Sequence, residues 1–288
     1  MSDNRRSFER AFESTTDIDK HAKAIARRVR ATSNELQAIM TAVDVDDLTR
    51  AEQRAVIRQV DEILTDLDGD LVRGVESGIN DVYEQGRART LVALGLFANV
   101  GAARRYLRSD KATLSRAHRS IRMADIETAM DDLLAMTSNT RRRVKSEIRR
   151  VAADMFRTGE NVRSQKKKMS KRLREAGVFA IRDRAGRRWK IDHYTNVVVS
   201  TKLAEAHRQA TEQEAREQGA GYVIVSIHAD PCEKCAPWEG RVLRISADVG
   251  GAMPTLDEAM TGGLFHPNCE HTVTPVRNLE VLPAWAKK

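Results

Sequence analysis

The sequence predicts a mainly α-helical N-terminal region of long helices followed by a small α+β C-terminal module. Three observations predict this. First, all six prolines and all three cysteines of the 288 residues lie beyond position 230. Ordinary usage of about 5% would place roughly eleven prolines in the stretch before it, and their absence is what uninterrupted helices leave behind. Second, upstream apolar residues recur at three- and four-residue steps, the spacing of one buried helical face. Third, beyond residue 220 short β-branched runs alternate with Gly, Pro and Asp, the pattern of strands and turns. The expected division is a polar arm over 1–15, an elongated helical region over 16–177, a hairpin, helix and compact α+β module over 178–278, and a tail over 279–288. The change of composition itself falls near residue 220.

Each element has its own justification. From Asp17, the residues Ile25, Val29, Leu36, Ile39 and Met40 mark a first helix. Val43 to Asp47 breaks it, with Asp46 or Asp47 the expected N-cap of a second helix carrying Val56, Val60, Leu64 and Leu67. Asp68-Gly69-Asp70 reads as a break before a third series, Leu71, Val75, Ile79, Val82 and Tyr83, running toward Leu91. Gly74, Gly78 and Gly86 weaken that helix and so mark close packing or bends. A long helix is expected from Lys111 to Phe156, ended at Thr158-Gly159-Glu160, and Asn161 caps a basic helix that stops at Gly177. Val178 to Ile191 reads as a hairpin turning at Asp183 to Gly186, followed by a helix from about Asp192 to Gln218. Tyr222 to Ile227 and Arg241 to Ile245 read as strands.

The chain's formal charge of +8 is a local feature. Residues 141–190 hold 19 Lys or Arg against 5 Asp or Glu, so the rest of the chain is mildly acidic. Such a block is the electrostatic footprint of a polyanion partner. Its aromatics are few (Phe156, Phe179, Trp189), which argues against stacking on single strands and for contacts to duplex phosphates that are blind to sequence. The candidate contacts are Arg141, Arg142, Arg143, Lys145, Arg149, Arg150, Lys166, Lys167, Lys168, Lys171, Arg172 and Arg174. The competing reading is a set of solvated cations on the outer faces of helices. The longest nearly apolar run, Leu91 to Ala103, lies between Arg89 and Arg104 and is too short for a bilayer, so no membrane partner is expected. The N-terminus shows no apolar stretch of a secretory leader, and a reducing compartment is expected.

An odd number of cysteines in such a compartment points to thiol or metal chemistry. Cys232-Glu-Lys-Cys235 and, some thirty residues on, His266-Pro-Asn-Cys269-Glu-His271 make two knuckles. Each presents soft N and S donors from a tight turn, and together they can complete a tetrahedron. Cys232, Cys235, Cys269 and either His266 or His271 then form a Cys₃His set for a closed, structural zinc. His266 is the first choice, with His271 and His228 as residues that orient ligands or bond backbone. The competing reading is reduced cysteines packed as small apolar residues.

Catalytic readings are weaker. Pro231-Cys232-x-x-Cys235 is half of a zinc deaminase motif, but the His-x-Glu half occurs nowhere. A thioredoxin-like role for the two cysteines lacks its βαβ setting. Gly-x-Ser-x-Gly, P-loop and Gly-x-Gly-x-x-Gly motifs are missing too, so no catalytic residue is assigned and no enzyme activity is expected. His21, His118, His193 and His207 read as surface or helix-packing residues.

The order strand, Cys-x-x-Cys, Trp238-x-Gly240, strand, then Gly263-Leu-Phe-His266-Pro-Asn-Cys269-x-His271-x-x-x-Pro275 resembles the C-terminal module of tailed-phage minor capsid proteins. These head morphogenesis proteins are of the Mu F-like and minor capsid protein 2-like types. The stretch from Trp189 to His207, with Ser200-Thr201 and Glu205-Ala206, is also similar, so the resemblance covers about residues 178–278. Upstream it is one of architecture alone. Glu270 and His271 stand where many members place Arg and some place Cys, which leaves the fourth ligand between the two histidines.

The resemblance implies a minor virion component, inside the capsid or at the portal vertex and in the host cytoplasm during assembly. Its implied partners are the portal protein, the major capsid or scaffolding protein and double-stranded genomic DNA, with multiple copies per virion. Two other classes compete: a soluble zinc-containing DNA-binding regulator, and a metal-dependent enzyme that processes nucleic acid.

Overall fold

Seven α-helices and two small antiparallel sheets make up the described residues of the protein, in the order α1 (Ile18–Ala42), α2 (Arg50–Ala93), α3 (Val100–Leu107), α4 (Arg116–Met155), α5 (Val162–Gly177), β1 (Ile181–Arg182), β2 (Arg188–Trp189), α6 (Ile191–Glu217), β3 (Tyr222–Val225), β4 (Val242–Arg244), α7 (Leu256–Thr261) and β5 (Val273–Val276). The structure is a computed structural model that describes residues 17–44, 48–155, 162–177, 181–182, 188–267 and 269–282. The polar arm, Asp46 and Asp47, the Thr158 to Asn161 segment and the Asp183 to Gly186 turn lie outside them. None of the described helices is long and apolar enough to cross a membrane.

The expected break at Asp68-Gly69-Asp70 does not exist, and α2 runs through it for 44 residues. Asp68 is held by Arg141 at 3.1 Å and Asp70 by Arg73 at 2.6 Å and by Arg28. A helical glycine costs only about 1 kcal/mol, which the flanking buried stripe outweighs. The helix starts at a reciprocal cap: Thr49 N–H donates to Glu52 at 2.7 Å while Glu52 N–H donates to the Thr49 hydroxyl at 3.3 Å. It stops where Gly95, at φ 74°, lets the Gly95 and Leu96 amides turn back onto the Val92 and Leu91 carbonyls. The same pair of bonds ends α6 at Gly219. Helix α4 begins at Arg116, later than the expected Lys111, because the Ser115 hydroxyl accepts the His118 amide at 3.1 Å. Helices α3 and α7 and strand β5 were not foreseen. Both helices have side-chain caps, from Asn99 and from the Thr255–Glu258 pair.

Packing divides the chain into two compact units assembled from non-contiguous segments. One holds Ala22–Val75 and Thr128–Asn196. Its buried residues include Leu36, Met40, Leu64 and Leu67, at the helical spacing read from the sequence, together with Leu133, Ile148 and Leu173. Ile181 and Arg182 pair with Trp189 and Arg188, the antiparallel register of the expected hairpin.

The other unit holds the described residues of Met1–His21, Glu76–Glu127 and Val197–Lys288. Its close helix contacts are set by small residues: a Cβ on Gly86 would sit 2.5 Å from the His207 carbonyl oxygen. Its sheet runs β4-β3-β5, antiparallel throughout, with Val223 opposite Leu243 on one side and Pro275 on the other. Proline is tolerated there because β5 is an edge. Val223, Val225, Leu243, Ile245, Leu256, Ala259, Leu264 and Val273 bury around Cys235 and the end of α6. The β3 ladder ends at Val225, and Ile227, read as part of a buried strand, is half exposed.

Candidate metal centre and basic face

The sheet register assembles the cysteine and histidine cluster. Because β3 and β5 are antiparallel, the exit of β3 lies beside the start of β5, and Ser226 N–H donates to the Thr272 carbonyl at 2.9 Å. The Thr272 amide returns a bond to the Ser226 hydroxyl at 2.9 Å. On the other side, Val225 N–H donates to the Arg241 carbonyl at 3.1 Å, which fixes the chain just after Glu239. Two stretches distant in sequence (Ser226 to Arg241, and Cys269 to Thr272) therefore converge at one end of a three-stranded sheet.

Within that convergence, Cys232 to Cys235 forms a turn in which the amides of Cys235 and Ala236 donate to the Cys232 carbonyl at 3.0 and 2.9 Å. The backbone N–H of Cys235, with that of Lys234, also points at the exposed Cys232 sulfur and draws its thiol down to about 7. Cys235 is fully buried, and burial together with the neighbouring Cys269 and Cys232 sulfurs pushes its thiol up to about 12. The second knuckle closes through the Cys269 amide on the His266 carbonyl at 3.0 Å. Phe265, at φ 61°, holds the left-handed region just before it, a conformation that costs a non-glycine residue about 1–3 kcal/mol.

The donors form two overlapping triads that share Cys235: Cys232, Cys235 and His266, and Cys235, Cys269 and His271, each with ligand atoms within 4.8 Å of one another. The Cys235 and Cys269 sulfurs are 3.6 Å apart, too far for a disulfide at about 2.05 Å. Cys269 Sγ is 3.4 Å from His271 Nδ1, and Cys232 Sγ is 3.0 Å from His266 Nε2. Both histidine rings are oriented on their far side. His271 Nε2–H donates to Glu239 at 2.9 Å, and His266 Nδ1–H donates to the Pro267 carbonyl at 2.8 Å. All five expected ligands are thus brought together, and this soft N and S donor set can hold a metal ion. His228 stands outside both triads, bonded to Ser226 at 3.0 Å and with its ring centroid 4.4 Å from that of His271.

The basic block sorts into two kinds of cation. Arg141 pairs with Asp61 and Asp68, Lys145 with Asp61 at 2.9 Å, and Arg172 with Glu147 and Asp154 at 2.9 Å each. Arg143 donates to the Ala176 carbonyl at 3.0 and 3.2 Å and so closes the C-terminal end of α5. These four hold helices together. Arg142, Arg149, Arg150, Lys167, Lys168, Lys171 and Arg174 are exposed. Arg150 and Lys171 make only local pairs there, with Glu147 and Glu175 on their own helices. The Lys166 side chain lies outside what is described.

One cluster was not foreseen. His118 and His207 are buried, and His118 Nε2 lies 3.2 Å from Glu214 and 3.5 Å from Glu217, while Nδ1 meets the Tyr83 hydroxyl at 2.8 Å. The Glu214-x-x-Glu217 spacing on α6 was its only trace in the sequence, and i, i+3 acids are too common on helices to be selective.

Neither curated proteins nor solved structures give a match to this chain. The family model described as phage minor capsid protein 2 matches residues 54–287. That span takes in most of α2, the basic helices and both knuckles, and so extends the likeness well upstream of the C-terminal module. The chain belongs to the phage minor capsid protein 2 family.

Proposed function

We propose that the protein is a minor structural component of the phage head, associated with the portal and the capsid interior, that contacts packaged DNA without sequence preference. The family match over most of the chain carries the structural reading. The DNA contact rests on the seven exposed cations of α4 and α5, whose Lys and Arg can neutralise phosphates and whose neighbourhood offers few aromatics for reading bases. Portal and shell contacts follow from the head location, with several copies per particle.

The cysteine and histidine cluster is assigned a structural zinc. Zinc fits because its sulfurs and ring nitrogens come from two tight turns, each steadied by backbone amides. When bound, the ion supplies a cross-link between the loop after β3 and the start of β5, in a module whose core is small. The Cys232 turn lends its amides to the sulfur, the Phe265 to Cys269 turn orients the second knuckle, and Glu239 fixes the His271 ring.

Quantitative mass spectrometry of purified virions tests the reading. A stoichiometric share of the protein in DNA-filled heads is expected. Its absence from particles would favour a soluble regulator, which would also have to outcompete random duplex at a particular sequence. An enzyme would need an open metal position and a base beside it.

A further inference from the structure

The geometry points to His271, bound through Nδ1 and held by Glu239 as a positioning residue, as the fourth ligand of the metal centre in place of His266. The assignment rests on the zinc reading above and deepens it.

Edge lengths carry the argument. Zinc at about 2.3 Å from sulfur and about 2.0–2.1 Å from nitrogen gives tetrahedron edges of about 3.8 Å between sulfurs and about 3.5 Å between sulfur and nitrogen. The Cys235–Cys269 separation of 3.6 Å and the Cys269–His271 separation of 3.4 Å match those edges. The Cys232–His266 separation of 3.0 Å does not, because it falls about 0.5 Å short of the sulfur–nitrogen edge and leaves no room for an ion across it.

The proton on His271 points the same way. Glu239 can only accept, so at 2.9 Å from its carboxylate His271 Nε2 must carry the hydrogen. That leaves the Nδ1 lone pair facing Cys269. The carboxylate is itself anchored, since the same Glu239 oxygen accepts the His228 amide at 2.7 Å. Carboxylate, histidine and metal in line is the arrangement that fixes a ligand ring and raises its basicity. Burial agrees: the His271 side chain is 6% exposed and counts among the buried residues, whereas His266 is half-buried. Cys232, exposed at the turn and within 4.8 Å of Cys235, would supply the third sulfur.

The test uses the full-length chain with Zn²⁺. The parent is expected to hold one ion, and nitrogen-15 NMR of its histidine rings to show one imidazole bound at Nδ1 with its proton on Nε2. His266→Ala should change zinc affinity by less than about threefold, and His271→Ala should weaken it by at least about tenfold. Glu239→Ala should weaken it by about 10–100-fold, and Glu239→Gln, whose amide oxygen still accepts the Nε2 proton, should recover most of the loss. A metal-bound ring with its proton on Nδ1, or zinc lost with His266→Ala and kept with His271→Ala, overturns the assignment while leaving the zinc reading in place. The ring spectrum needs no variant, so it decides even where His271→Ala fails to fold. A parent chain that takes up no zinc overturns the structural-metal reading and this assignment with it.

Discussion

Arg87 and Glu214 meet at 2.6 Å across 127 residues of sequence, with side chains only 10% and 3% exposed, and they tie α2 to α6 inside the unit that carries the cysteine and histidine cluster. Burial alone would raise the Glu214 carboxyl. The His118 contact and the Arg87 charge and hydrogen bond outweigh it and hold the group down at about 2. Glu214→Ala would strand a guanidinium in the interior, and a loss of about 3–5 kcal/mol is expected in urea unfolding. Because the folded-state value lies below the ordinary 4.5, the pair's contribution is fully present above pH 4.5 and fades as pH falls toward 2. An acid titration in which the parent and Glu214→Gln lose stability in parallel would contradict this.

Asp125 shows the opposite sign. Burial, reinforced by the Glu205 charge, pushes its carboxyl up to about 7 against the pull of Arg208 and Lys202, and its Oδ2 has no hydrogen-bond partner. The folded state therefore binds the proton more tightly than the unfolded chain, and stability declines as pH rises from about 4 through 7. Asp125→Asn should melt higher than the parent at pH 8, and the gap should close by pH 4. An equal gap at both values would mean that burial is not the cause.

For the metal centre, the double variant Cys232→Ser, Cys269→Ser should lose its zinc, and amide exchange should quicken through Tyr222 to Val276. Chelation of the parent should do the same. Unchanged melting and exchange in both cases would remove the idea of a metal cross-link.

The two kinds of cation should part company in a salt titration of duplex binding. Reversing Lys167, Lys168, Lys171 and Arg174 to Glu is expected to flatten the dependence of log K on log salt by up to about 4, at about 0.9 for each phosphate no longer neutralised. Arg172→Ala, which removes the inter-helix partner of Glu147 and Asp154, should instead lower stability and leave that slope nearly unchanged. A slope that ignores the four reversals would place the DNA contact elsewhere.

Two glycines of α2 should respond to alanine with opposite signs. At Gly69 the nearest atom to a new Cβ is the mobile Arg73 guanidinium at 3.4 Å, so Gly69→Ala should stabilise by up to about 1 kcal/mol. At Gly86 the neighbour is backbone, 2.5 Å away, and Gly86→Ala should cost about 1–3 kcal/mol in the same denaturation experiment.

What was legible in the sequence was whatever period and composition encode. Ile25, Val29, Leu36, Met40, Val60, Leu64 and Leu67 are buried as their spacing implies, with Ile39 and Val56 half-buried, and the composition shift marks where the three-stranded sheet begins. The break at Asp68-Gly69-Asp70 misled because local propensity is weak beside tertiary pairing, here to Arg28, Arg73 and Arg141. The five clustered cysteines and histidines were visible through their knuckles. Glu239 was not, because what brings it to His271 is the register of β3 and β4, which no short motif records. The division of the basic block was equally hidden, since a paired and an unpaired arginine look alike until their acidic neighbours are placed.

The β3–β5 ladder has a consequence for how the gene can be altered. Extra residues between Val225 and Cys232, or between Cys269 and Val273, would have to bulge out at the one end of the sheet where spacing sets the distance between sulfurs. The Gly250 to Ala252 bend, exposed and remote from that end along both strands, has no such ruler beside it. An epitope tag or fluorescent peptide belongs there.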